Sequence, residues 1–162
     1  SIGVYEHGEG VMGVVYNPIL DELFCAVRGE GACCNGKTIH VSTQDTLQQA
    51  LIATGFPYSK VEQGADYAWV MQTMDKMLPH VRDIRRLGSA ALDLCYVARG
   101  TMDGYYEINL KPWDAAAGLI IAQEAGATVT SADGSPVHFD NTTVIAANPT
   151  LHTQIVRQLS TN

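Results

Sequence analysis

The sequence predicts a layered α/β fold, in which an incomplete antiparallel sheet over residues 1–41 is followed by a mixed α/β portion over 42–162. Three observations predict it. Residues 1–41 alternate apolar and polar side chains between turn residues, the period of two that a strand imposes. Beyond Ser42 the period lengthens, and helical patterns alternate with short apolar runs. No repeat or low-complexity segment separates the two portions, and the Gly-Ser-Pro stretch at 134–136 reads as a loop rather than a linker.

The elements follow in order. SIGVYEHGEG, GVMGVVYNPI and DELFCAVRG form a meander, and Asn35-Gly36 supplies the positive φ angles of a tight hairpin. The chain enters this alternation at Ile2, Val4, Val11, Gly13 and Val15 without a cap, as if in the middle of a sheet. A short helix is expected at 43–49 and a strand at 51–55 (LIATG). Ala65, Ala68, Trp69, Met71 and Met74 place a helix at 63–78. There follow a strand at 82–87, a helix at 89–99, a strand at 103–108 (DGYYEI) and a helix at 114–125. Strands at 127–130 and 143–147 (TVIAA) and a helix at 149–159 complete the chain.

Composition narrows the function classes. With 46% hydrophobic and 17% charged residues the chain can bury a sizeable core, and no apolar run is long enough to span a bilayer, so a soluble, cytoplasmic protein is expected. A net charge of −7 opposes nonspecific attraction to nucleic acid. Cys25, Cys33, Cys34 and Cys95 form no CxxC pair and none lies close in sequence to a histidine, so they read as small buried hydrophobes in a reducing compartment. The five histidines are scattered and read as filler. The nucleophile elbow, the HExxH zinc helix and the glycine-rich phosphate loops are all absent from the sequence.

Three stretches remain that could carry chemistry. In KPWDAAAGLIIAQEAGA, Asp114 opens a helical run, where a carboxylate either caps the helix or offers an oxygen to a hard cation such as Mg²⁺. The small residues Ala115, Ala116, Ala117 and Gly118 would let another element approach closely. In RRLGSAALDL, Gly88, Ser89 and Ala90 lie where a strand gives way to a helix, so the backbone N–H groups could face an anion; Ser89 could equally be a plain cap. Arg82, Arg85 and Arg86 could face two sides of the preceding strand. In DGYYEIN, alternation puts Asp103, Tyr105 and Glu107 on one face, with Glu107 at a strand end just ahead of Asp114.

WDAAAG resembles the second signature of the inositol monophosphatase family, and GVVYNPILDELFCAVRGEGACCNGKTIHVS, ATGFP, RRLGSAALDLCYVARGTMDGYYE, QEAGA and AANP resemble the same family in the same order. The likeness spans the chain and is nearest to the bacterial, extragenic-suppressor type. It implies a layered αβαβα sugar-phosphatase-like fold and Mg²⁺-dependent hydrolysis of phosphate monoesters, often by a Li⁺-inhibited homodimer. By the same resemblance Asp114 is a metal ligand, Glu107 contacts substrate hydroxyls, and Gly88, Ser89 and Ala90 line the substrate pocket with Arg85 nearby. The substrate would be inositol monophosphate or a related sugar or polyol phosphate. The alternative is a noncatalytic partner of the transcription machinery.

One departure matters. The family's first signature, DPxDGTxNF, and an upstream glutamate supply its other metal-binding carboxylates, and neither occurs in these 162 residues. Enzymes accelerate phosphate-monoester hydrolysis by up to about 10²¹-fold, and a single aspartate cannot assemble the metal site that does so. The chain is therefore expected to be the C-terminal part of a longer phosphatase, inactive by itself.

Overall fold

The computed structural model describes residues 1–139 and 143–160. Five strands, β1 (Ile2–Glu6), β2 (Glu9–Asn17), β3 (Glu22–Val27), β4 (Gly31–Cys34) and β5 (Lys37–Ile39), form an antiparallel meander in sequence order. Asn35 and Gly36 both have positive φ between β4 and β5, as the expected hairpin turn requires.

The second sheet contains β6 (Leu51–Thr54), β7 (Asp83–Arg85), β8 (Gly104–Ile108), β9 (Thr128–Thr130) and β10 (Thr143–Ala147), ordered β7-β6-β8-β10-β9. It is mixed: β6 runs parallel to β7 and β8, whereas β10 is antiparallel to β8 and β9. Four helices accompany the sheets among the described residues: α1 (Ala65–Met77), α2 (Ala90–Ala98), α3 (Pro112–Glu124) and α4 (Pro149–Ser160).

Three apolar clusters define the layering. Phe24, Ala26, Ala32 and Val15 of the first sheet pack with Cys95, Ala117, Ile120 and Ile121, so α2 and α3 lie against that sheet. Their other side, with Leu94, Val97 and Ala115, meets Ala53, Tyr105, Val144 and Ala146 of the second sheet. The far face of the second sheet, with Ile52, Tyr106 and Ile145, packs on Met77 of α1 and on Leu151 and Ile155 of α4. The expected layered α/β architecture is thus present as sheet, helix pair, sheet, helix pair.

α3 is buried between two sheets, which explains why it is apolar on all sides rather than along one stripe. Its small residues permit the squeeze. A Cβ on Gly13 of β2 would stand 2.5 Å from the Ala117 carbonyl oxygen, and one on Gly118 would stand 2.8 Å from Leu94 of α2.

Local expectations met mixed outcomes. The helix expected at 43–49 is only a 3₁₀ turn at Leu47–Gln49. Gln44 Oε1 accepts from the Asp45 and Thr46 N–H groups, and Asn148 Nδ2 donates to the Ser42 and Gln44 carbonyls, so side chains take the groups a helix would need. The strand expected at 82–87 is confined to Asp83–Arg85, because the chain turns before Gly88, whose φ is +94°. Helix α3 begins at Pro112, two residues ahead of the expected start, since proline's missing N–H costs nothing in a first turn. Residues 140–142 and 161–162 lie outside the described residues.

Candidate active site

The three parallel strands end at one edge of the second sheet, and the residue after each strand lines the same cleft: Gly55 after β6, Arg86 after β7 and Asn109 after β8. The cleft has a volume of about 650 Å³. Open α/β sheets place ligands at the carboxyl ends of their strands. Gly88, Ser89, Ala90, Glu107 and Asp114 all line this space, which brings together every site residue expected from sequence except Arg85.

Arg85 points elsewhere. As the last residue of β7 it pairs with Asp83 at 2.5 Å, both side chains being nearly half exposed, while Arg86 turns into the cleft and lies 5.7 Å from the centre of the Phe56 ring. Ser89 is the N-cap of α2, its Oγ accepting from the Leu92 N–H at 3.4 Å. Cap and pocket wall are compatible roles, because Ala90 and Ala91 at the first turn also line the cleft and their N–H groups have no acceptor within the helix.

Asn109, with φ of +61°, reverses the chain so that α3 starts at the end of β8. This sets Asp114 at the third helical position rather than at the N-cap, which is Lys111. Its Oδ2 accepts the Lys111 backbone N–H at 2.9 Å. The aspartate therefore steadies the helix start through Oδ2, and its residue also lines the cleft, so the cap contact does not preclude a further role.

Electrostatics concentrate here. Burial pushes the Glu107 carboxyl above its usual range; a hydrogen bond from Tyr105 and the charge of Arg86 oppose that rise, and the charge of Asp114 adds to it. Asp93 on α2 is 1% exposed, with Oδ1 lacking any hydrogen-bond partner. Burial, with the nearby Glu107 charge, raises its pKa to about 7. Sequence reading missed Asp93, although a lone acid inside the apolar run AALDLCYVA was a visible signal. It also missed Gly55, which meets Glu107 across the fold, and it placed Tyr105 on the face of Glu107 without giving it a role.

Asp114, on the cleft wall, is a hard oxygen donor of the kind a partly hydrated Mg²⁺ takes. Among the described residues, no group of three or more histidine, cysteine, aspartate or glutamate side chains is arranged to hold a metal.

The sequence model of the inositol monophosphatase family matches residues 1–162. The chain belongs to the inositol monophosphatase family. Within it, the chain is 42% identical over 149 residues to the Nus factor SuhB of Vibrio cholerae, covering 92% of this chain and 55% of that protein. The crystal structure of the extragenic suppressor protein suhB from Bartonella henselae superposes with a TM-score of 0.90 at 39% identity, covering 97% of this chain and 60% of that one. The inositol monophosphatase of Anabaena gives a TM-score of 0.90 at 37% identity, covering 97% and 61%. The chain thus spans somewhat over half the length of these family members.

Proposed function

We propose that the complete polypeptide carrying these residues is a Mg²⁺-dependent phosphomonoesterase acting on inositol monophosphate or a related polyol or sugar phosphate. The observation that carries this reading is the convergence of Asp114, Glu107 and the first turn of α2 on one cleft in a member of this family. Asp114 would hold the cation. Bound there, Mg²⁺ supplies polarisation of a phosphoryl oxygen and acidification of a coordinated water.

The chain's own groups do the rest. Ala90 and Ala91, at the first turn of α2, line the cleft, and the α2 dipole with their free N–H groups favours an anion at that end. Glu107, an acceptor when ionised, takes hydrogen bonds from substrate hydroxyls and so prefers a polyol ester to bare phosphate. Arg86 offsets part of the negative charge that substrate and carboxylates bring together. A homodimer working in the cytoplasm is part of the proposal; among the described residues no helix is long and apolar enough to cross a membrane.

Replacing Asp114 with asparagine tests the reading. Asp114→Asn should lower Mg²⁺-dependent phosphate release from inositol 1-phosphate by roughly 100-fold or more while leaving the far-ultraviolet circular dichroism unchanged. Full activity in this variant would refute the ligand role.

A second reading is favoured by the name of the Vibrio relative, a Nus factor: a noncatalytic partner of the transcription machinery. The same substitution separates the two. If Asp114→Asn abolishes hydrolysis yet restores growth to a strain lacking the gene, catalysis is not the cellular task.

A further inference from the structure

Two residues hold Glu107. The Tyr105 hydroxyl, on a fully buried side chain two residues back along the same face of β8, donates to Glu107 Oε2 at 2.5 Å. No described residue donates to Oε1. A Cβ on Gly55 would stand 2.0 Å from Oε1, 2.1 Å from Cδ and 2.2 Å from Oε2, so the carboxylate fills the space a side chain at position 55 would take. The φ of Gly55 is not in the left-handed region, so a side chain at position 55 would displace the Glu107 carboxylate rather than strain the backbone.

A carboxylate rotates easily about its terminal torsion, which is broad and two-fold. An acceptor that must meet a particular hydroxyl needs that rotation arrested. We infer that Tyr105 and Gly55 are positioning residues for Glu107, fixing one oxygen toward the cleft and thereby setting how strongly the site favours phosphate esters with free hydroxyls over esters without them. The inference rests on the reading of Glu107 as the hydroxyl acceptor.

The test compares kcat/KM for inositol 1-phosphate with that for phenyl phosphate, a monoester without free hydroxyls, using the complete polypeptide with Mg²⁺. Variants are Glu107→Gln, Tyr105→Phe, the double variant and Gly55→Ala. A hydrogen bond to a charged group is worth enough that Tyr105→Phe should lower the inositol-to-phenyl ratio by roughly 10-fold. Gly55→Ala should lower it likewise, and the double variant should fall no further than Glu107→Gln alone. Should Tyr105→Phe fail to fold, Gly55→Ala decides the matter by itself. A ratio lowered by Glu107→Gln but untouched by Tyr105→Phe and Gly55→Ala would overturn the positioning role and leave the Glu107 reading standing. A ratio indifferent to Glu107→Gln would remove that reading and this inference together.

Discussion

A carboxyl group shut away from water behind the cleft, as Asp93 is, must either hold a proton or remain a costly buried charge. Its folded pKa of about 7 lies above the ordinary value of about 3.9 for an unfolded aspartate. Between those values the folded protein holds more protons than the unfolded one, so this group makes stability fall as pH rises through the window, with the full penalty above about pH 7. Asp93→Asn should remove that slope. Urea denaturation should find the variant more stable than the parent at pH 8 by about 1–3 kcal/mol, with the difference shrinking toward pH 4. A difference independent of pH would show that Asp93 is already paired.

At the scale of elements, α3 does most to build the site. It carries Asp114 at its first turn and packs on both sheets, so its position is set by glycines on one side and by α2 on the other. Gly13→Ala should destabilise the fold by roughly 1–3 kcal/mol, because the new methyl group meets backbone that cannot yield as a side chain would; a denaturation midpoint equal to the parent's would refute this.

Much of this was readable from sequence. The shift of period after Ser42, the Asn-Gly turn and the strand-to-helix junction at Gly88-Ser89 are local patterns, and local physics produces them. The Tyr105 and Glu107 side chains share a face because strand geometry alternates. What stayed hidden was non-local. Arg86 rather than Arg85 enters the cleft because β7 stops at Arg85, which its own sequence does not announce. Gly55 serves a residue far along the chain. The 43–49 segment has helical composition, but Asn148, just ahead of α4, claims the Gln44 carbonyl and that of Ser42 before it.

At the scale of the whole molecule, the carboxylates that line the cleft among the described residues, Glu107 and Asp114, are too few for a two-ion phosphatase centre. Stabilising both the attacking and the leaving oxygen takes ions about 3.5–4 Å apart, each needing its own oxygen donors. The purified 162-residue chain is therefore expected to release no phosphate from inositol 1-phosphate with Mg²⁺, as measured by a phosphate-release assay. Measurable turnover would show that these residues suffice. The fit of α3 between its neighbours has a wider consequence. Gly13 lies on a strand that contributes nothing to the cleft's lining, yet it acts as a shim whose thickness sets where the first turns of the helix, with Asp114, come to rest. A scan of substitutions read out by activity should light up along that strand as well as around the cleft, and those hits would report a gauge, not a contact.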